Sequence, residues 1–141
     1  MNKTITIFIL VFAFVGGFLI FYNPKPVSNT QQNWESKTDD QPPVTVTITP
    51  IDILPESKEW KFNIVMDTHL VELDQDMTKV AVFVDDQSKE YAPLNWEGPV
   101  GGHHREGVLV FNAVEPMPKS VEIKIKDIGG IPERSFKWNL K

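Results

Sequence analysis

From Val44 onward the chain repeats with a period of two, and this constrains its fold more than any other feature. "VTVTITP" sets Val44, Val46 and Ile48 against three threonines. "EWKFNIVMDTH" sets Trp60, Phe62, Ile64 and Met66 against Lys61, Asn63, Val65, Asp67 and His69. "SVEIKIKDI" and "RSFKWNL" repeat the pattern, the first with Val121, Ile123 and Ile125, the second with Phe136, Trp138 and Leu140. Successive side chains of a strand point to opposite faces, so each stretch reads as a strand with one buried face. "KVAVFVDD" and "GVLVFNAV" are apolar on both sides, as central strands are. Asp85-Asp86-Gln87-Ser88 and Gly129-Gly130 supply turns, and no helical period follows Pro43.

Six or seven short strands over residues 44–141 predict an all-β fold, an immunoglobulin-like antiparallel β-sandwich. Its expected core is Trp60, Phe62, Ile64, Val82, Val84, Leu109, Phe111, Ile123, Ile125, Phe136 and Trp138. A domain of this size buries enough surface to fold without disulfides, which the chain cannot make because it has no cysteine. The same absence excludes thiolate metal sites, a thiol nucleophile and a lipid-modified cysteine.

Upstream the character changes. "TITIFILVFAFVGGFLIFY", Thr4 to Tyr22, carries no charge and as a helix would be about 28 Å long, close to the hydrocarbon thickness of a bilayer. Its apolar core exceeds that of a cleavable signal peptide and bulky residues follow it, so residues 1–22 read as an uncleaved transmembrane anchor. Cleavage after Gly16-Gly17 is the alternative. The short amino-terminal flank and the large acidic domain place the carboxy-terminal part outside the cell, in a single-pass protein of the cell membrane. Residues 23–43 contain four prolines and no apolar period, and read as a flexible linker with Trp34 as its one anomaly.

Charge narrows the partners. Three basic and three acidic side chains cancel within residues 1–43, so the whole formal charge of −5 belongs to the domain. An acidic domain with only two arginines, Arg105 and Arg134, is a poor match for phosphate backbones, and no nucleic-acid partner is expected.

Two segments do not read as core. In "DTHLVELDQD" Asp67 and His69 stand two apart on a strand, on one face, where a carboxylate and an imidazole can converge on one ion. Asp74 and Asp76 follow at a spacing that hints at calcium, but the remainder of a calcium loop is missing and a solvated turn is the plainer reading. In "GGHHREG" the pair Gly101-Gly102 frees the backbone beside His103, His104 and Arg105. Adjacent histidines on an extended chain point to opposite faces, and a set of His69, one or both of His103 and His104, and Asp67 suits copper(II) or zinc better than calcium or magnesium. The same loop admits another use, in which Gly101, Gly102 and Arg105 receive an anionic group of a ligand or partner. A third reading is purely structural: the histidines bond neighbouring loops and Arg105 pairs with acidic residues. No G-x-S-x-G motif and no phosphate-binding glycine loop occurs, so no enzyme is expected.

The layout of anchor, linker and one cysteine-free sandwich resembles small extracytoplasmic bacterial domains of the YtkA, FixH and CopC type. That resemblance implies a role in copper handling or in assembly of membrane oxidases. The expected function is therefore a membrane-anchored extracytoplasmic binding domain for copper or zinc. The alternative is an accessory or scaffold protein that contacts a protein partner in a membrane complex without metal.

Overall fold

The alternation beginning at Val44 becomes pleated sheet throughout the computed structural model, which describes residues 33–140. The strands are β1 Lys37–Gln41, β2 Val44–Asp52, β3 Glu59–Asp67, β4 Ala81–Asp85, β5 Glu90–Tyr91, β6 Asn95–Glu97, β7 His104–Asn112, β8 Ser120–Ile128 and β9 Ile131–Asn139. A single helical turn, α1 Met77–Val80, precedes β4. One sheet has the order β1-β2-β3-β7-β6 and the other β5-β4-β8-β9, with every neighbouring pair antiparallel. Among the described residues no helix is long and apolar enough to cross a membrane; the expected anchor at 1–22 lies outside them.

The inner faces of the two sheets share one core. Val46, Ile48, Phe62, Ile64, Leu109 and Phe111 from the first meet Phe83, Ile123, Ile125, Phe136 and Trp138 from the second. Aromatic rings join the layers: Trp60 meets Phe83 edge-on at 5.7 Å, and Phe62 lies 6.1 Å from Trp138. Each such side chain contributes roughly 1.5–3 kcal/mol through burial. In β4 the phase differs from expectation. Ala81 and Phe83 point inward and Val82 is only half-buried, because Phe83 rather than Val82 fills the space between Trp60 and Phe111; Val84 is buried, as expected.

The linker expected over 23–43 needs correction in its described part. Residues 37–41 form β1, in register from Lys37 opposite Ile48 to Gln41 opposite Val44. Paired hydroxyls and carboxylates hold its outer face: Ser36 with Thr49 at 2.7 Å, Thr38 with Thr47 at 2.9 Å, and the Thr45 hydroxyl donating to Asp40 at 2.6 Å. The second sheet holds the other side. Arg134 on β9 donates to the Asp39 carboxylate at 2.6 Å and to the Gln41 carbonyl at 2.8 Å, and Trp138 Nε1–H donates to the Glu35 carbonyl at 2.7 Å. Trp34 packs half-buried against the core.

Candidate functional site

The register lines up four polar residues across the outer face of the first sheet. Asp40 faces Thr45, Thr45 faces Asp67, and Asp67 faces His104. Residues directly opposite each other share a face, so these side chains form one row at the end of the sheet. His104 Nδ1 lies 2.6 Å from Asp67 Oδ1. An ionised carboxylate only accepts, so this bond assigns a proton to Nδ1; in the neutral imidazole the lone pair is then on Nε2.

His69 joins this pair from the loop after β3. The Thr68 N–H donates to the His103 carbonyl at 2.9 Å, extending the β3–β7 ladder by one bond. Thr68 itself is buried, and its hydroxyl accepts from the Leu70 N–H at 3.1 Å, closing a local turn that leaves His69 exposed. The His69 and His104 ring centres are 5.3 Å apart, with planes at 76°. Beside them opens a shallow cleft of about 320 Å³, lined by Asp40, Thr45, Asp67, His69 and the exposed Leu70.

His103 goes elsewhere. Gly101 and Gly102 have φ of 91° and 107°, a region that side chains with a Cβ rarely enter, which is why both positions are glycine. Their turn aims the Gly102 N–H at Glu72 Oε1, while the Gly102 carbonyl accepts from the Leu73 N–H at 3.0 Å. His103 Nε2 then faces Glu72 Oε2 at 3.8 Å. The adjacent histidines diverge as neighbours on an extended chain do. Of the four expected ligands, Asp67, His69 and His104 meet and His103 is drawn to Glu72. Among the described residues no group of three or more histidines, aspartates or glutamates is arranged to hold an ion.

Arg105 is no surface contact. It is 1 % exposed. Its Nε donates to the Pro99 carbonyl at 2.8 Å, and one terminal nitrogen donates to the carbonyls of Gln75 at 2.7 Å and Leu73 at 3.3 Å. The guanidinium lies over the Trp96 ring, 5.1 Å from its centre. Burial pushes its pKa down, and the carboxylates of Asp76 and Asp74 push the other way. Arginine remains a cation throughout. The expected receptor for an anion is thus turned inward, onto backbone oxygens and an aromatic face.

Two further expectations resolve here. Asp76 caps α1: its carboxylate accepts from the Thr78 hydroxyl at 2.6 Å and the Thr78 N–H at 3.0 Å, which holds its pKa below the ordinary value. Within the Asp74-x-Asp76 spacing, Asp76 is a helix cap. Asp40, Thr45 and Trp96 belong to the neighbourhood of the site without having been singled out. Asp40 and Thr45 reach it only through strand register, which no local pattern encodes. Comparison with known proteins adds no relative to this geometry: no family model, no curated protein and no solved structure matches the chain.

Proposed function

We propose that the chain is a membrane-anchored extracytoplasmic binding domain that takes copper(II) or zinc between His69 and His104. Asp67 orients His104 in this reading and is not itself a ligand. A carboxylate on the far nitrogen of a metal-binding imidazole fixes its tautomer and raises its basicity. The observation that carries the reading is the 5.3 Å between ring centres. With a metal–nitrogen bond of about 2.0 Å and about 1.1 Å more to each ring centre, two imidazoles at the tetrahedral angle would stand about 5.1 Å apart. His103 leaves the expected set, since Glu72 holds it.

The strand orders support the finer fold assignment, an immunoglobulin-type sandwich. Lettered from β2 as A to β9 as G, they read A-B-E-D in one sheet and C′-C-F-G in the other, with β1 added beside A.

Calorimetric titration with zinc and with copper(II) tests the site. His69→Ala and His104→Ala should each lose at least about tenfold in affinity, and His103→Ala should bind like the wild type. Binding needs neutral imidazoles, so it weakens on acidification. A wild type that binds neither ion removes the metal. The partner-binding reading then takes its place, on the strength of Leu70 and Val100, 78 % and 79 % exposed on the two loops beside the site.

A further inference from the structure

The segments that carry the histidines have little core of their own. Between Asp67 and α1, only Leu73 among the apolar side chains is fully buried, and Pro99, Val100, His103 and Glu97 on the facing segment are all exposed. Two backbone bonds cross between them, from Thr68 N–H to the His103 carbonyl and from Leu73 N–H to the Gly102 carbonyl. Exposed Glu72 adds two more contacts, accepting from the Gly102 N–H and facing His103 Nε2 at 3.8 Å, and the buried tie is Arg105. Its fork takes two carbonyls from the first segment, Leu73 and Gln75, and one from the second, Pro99.

Behind the guanidinium the packing is tight. Trp96 lies against Gly98 and Gly107 so closely that a Cβ at Gly107 would sit 2.6 Å from its ring, and its Nε1–H donates to the same Pro99 carbonyl that Arg105 Nε holds. Among the described residues Arg105 has no ion-pair partner within 4.0 Å. A buried cation without a carboxylate has its desolvation cost offset only by the carbonyls it reaches, so it adds little to global stability. What an apolar side chain cannot do is grip three carbonyls on two segments at once.

We propose that Arg105 is the positioning residue of the His69/His104 site: from β7, the strand that also carries His104, it holds the segment 68–76 that carries His69, so that the two imidazoles keep their spacing. The inference rests on the metal reading only in taking zinc as the probe. A lysine at this position keeps the charge, but its single ammonium lacks the planar fork and holds fewer of the three carbonyls.

The test uses the full chain in detergent with Arg105→Met and Arg105→Lys, read by amide hydrogen exchange and by zinc titration. In Arg105→Met, exchange at Thr68 and Leu73 should quicken at least tenfold, while Ile64 and Ile123 in the central strands stay unchanged. Zinc affinity should fall about 10- to 100-fold, as when the support of a metal ligand is lost. Arg105→Lys should fall between this variant and the wild type, and it decides the matter if the methionine variant does not fold. Unchanged exchange at Thr68 and Leu73 overturns the proposal. So does a rise that Ile64 and Ile123 share, which would mark Arg105 as a general stabiliser. If the wild type takes no zinc the metal reading falls, while the exchange comparison still decides whether Arg105 holds the histidine segments.

Discussion

Both arginines of this chain are buried to 1 % exposure, and both collect backbone carbonyls that no lysine could gather as well. Their positions were legible in the strand phase. Arg134 stands in step with Phe136 and Trp138, and Arg105 with Gly107, Leu109 and Phe111, so each belongs to an inward-facing set. Charge obscured this, because a lone arginine in a loop-like stretch reads as a surface contact. The two differ in one respect: Arg134 has a carboxylate, Asp39, at 2.6 Å. Removing that partner by Asp39→Ala leaves a buried charge uncompensated and should cost about 3–5 kcal/mol in a denaturant melt. The double change Asp39→Ala/Arg134→Met should recover most of the loss; an equal loss in both variants would mean that the pair matters only for its packing. Gly107 is a second residue whose role follows from contact. The Cβ of Gly107→Ala would meet the Trp96 ring at 2.6 Å and the Glu97 carbonyl at 2.8 Å, so the substitution should destabilise by about 1–3 kcal/mol.

Elements with an apolar face were readable and the one without was not. The turns at Asp85-Asp86-Gln87-Ser88 and Gly129-Gly130 fall where their residue types place them, between β4 and β5 and between β8 and β9. β1 escaped because "KTDDQ" has no apolar side; its ties run to Arg134 and Trp138, about a hundred residues away in sequence. A fragment of residues 44–141 therefore loses the partner of a buried arginine as well as a strand. It should be less stable than residues 33–141 by at least about 3 kcal/mol. Equal midpoints would return residues 33–43 to the linker. The β4–β5 turn has its own chemistry. Burial alone would raise the Asp85 pKa, but the N–H groups of Lys89 and Gln87 and the Tyr91 hydroxyl, at 2.8–3.0 Å, outweigh it and the net shift is downward. A carboxylate with a lowered folded pKa stabilises above its unfolded value of 3.8 and loses that contribution as the pH falls through the folded value. Urea midpoints measured from pH 6 down to pH 2 should thus fall less steeply in Asp85→Asn than in the wild type.

At the scale of the molecule, period two determines which side chains face inward but not which strands are neighbours. Hence the all-β class was legible from sequence, whereas the row Asp40–Thr45–Asp67–His104 appears only once β1, β2, β3 and β7 lie side by side. That order also fixes the direction in which β1 approaches the site. β1 runs from Lys37 toward Asp40, and Glu35 is bonded beside Trp138, so Asn33 enters the sheet away from its histidine end. At the histidine end Leu70, next to His69, is 78 % exposed. The proposed outside location can then be read with one label at Leu70, because the chain contains no cysteine to compete. Leu70→Cys should react with a membrane-impermeant maleimide on intact cells, and lysis should add little. The mass of the labelled product should still include Met1–Tyr22 if the leader is an anchor. Labelling that needs lysis puts the domain on the inner side, and a product beginning after Gly17 makes the leader a cleaved signal.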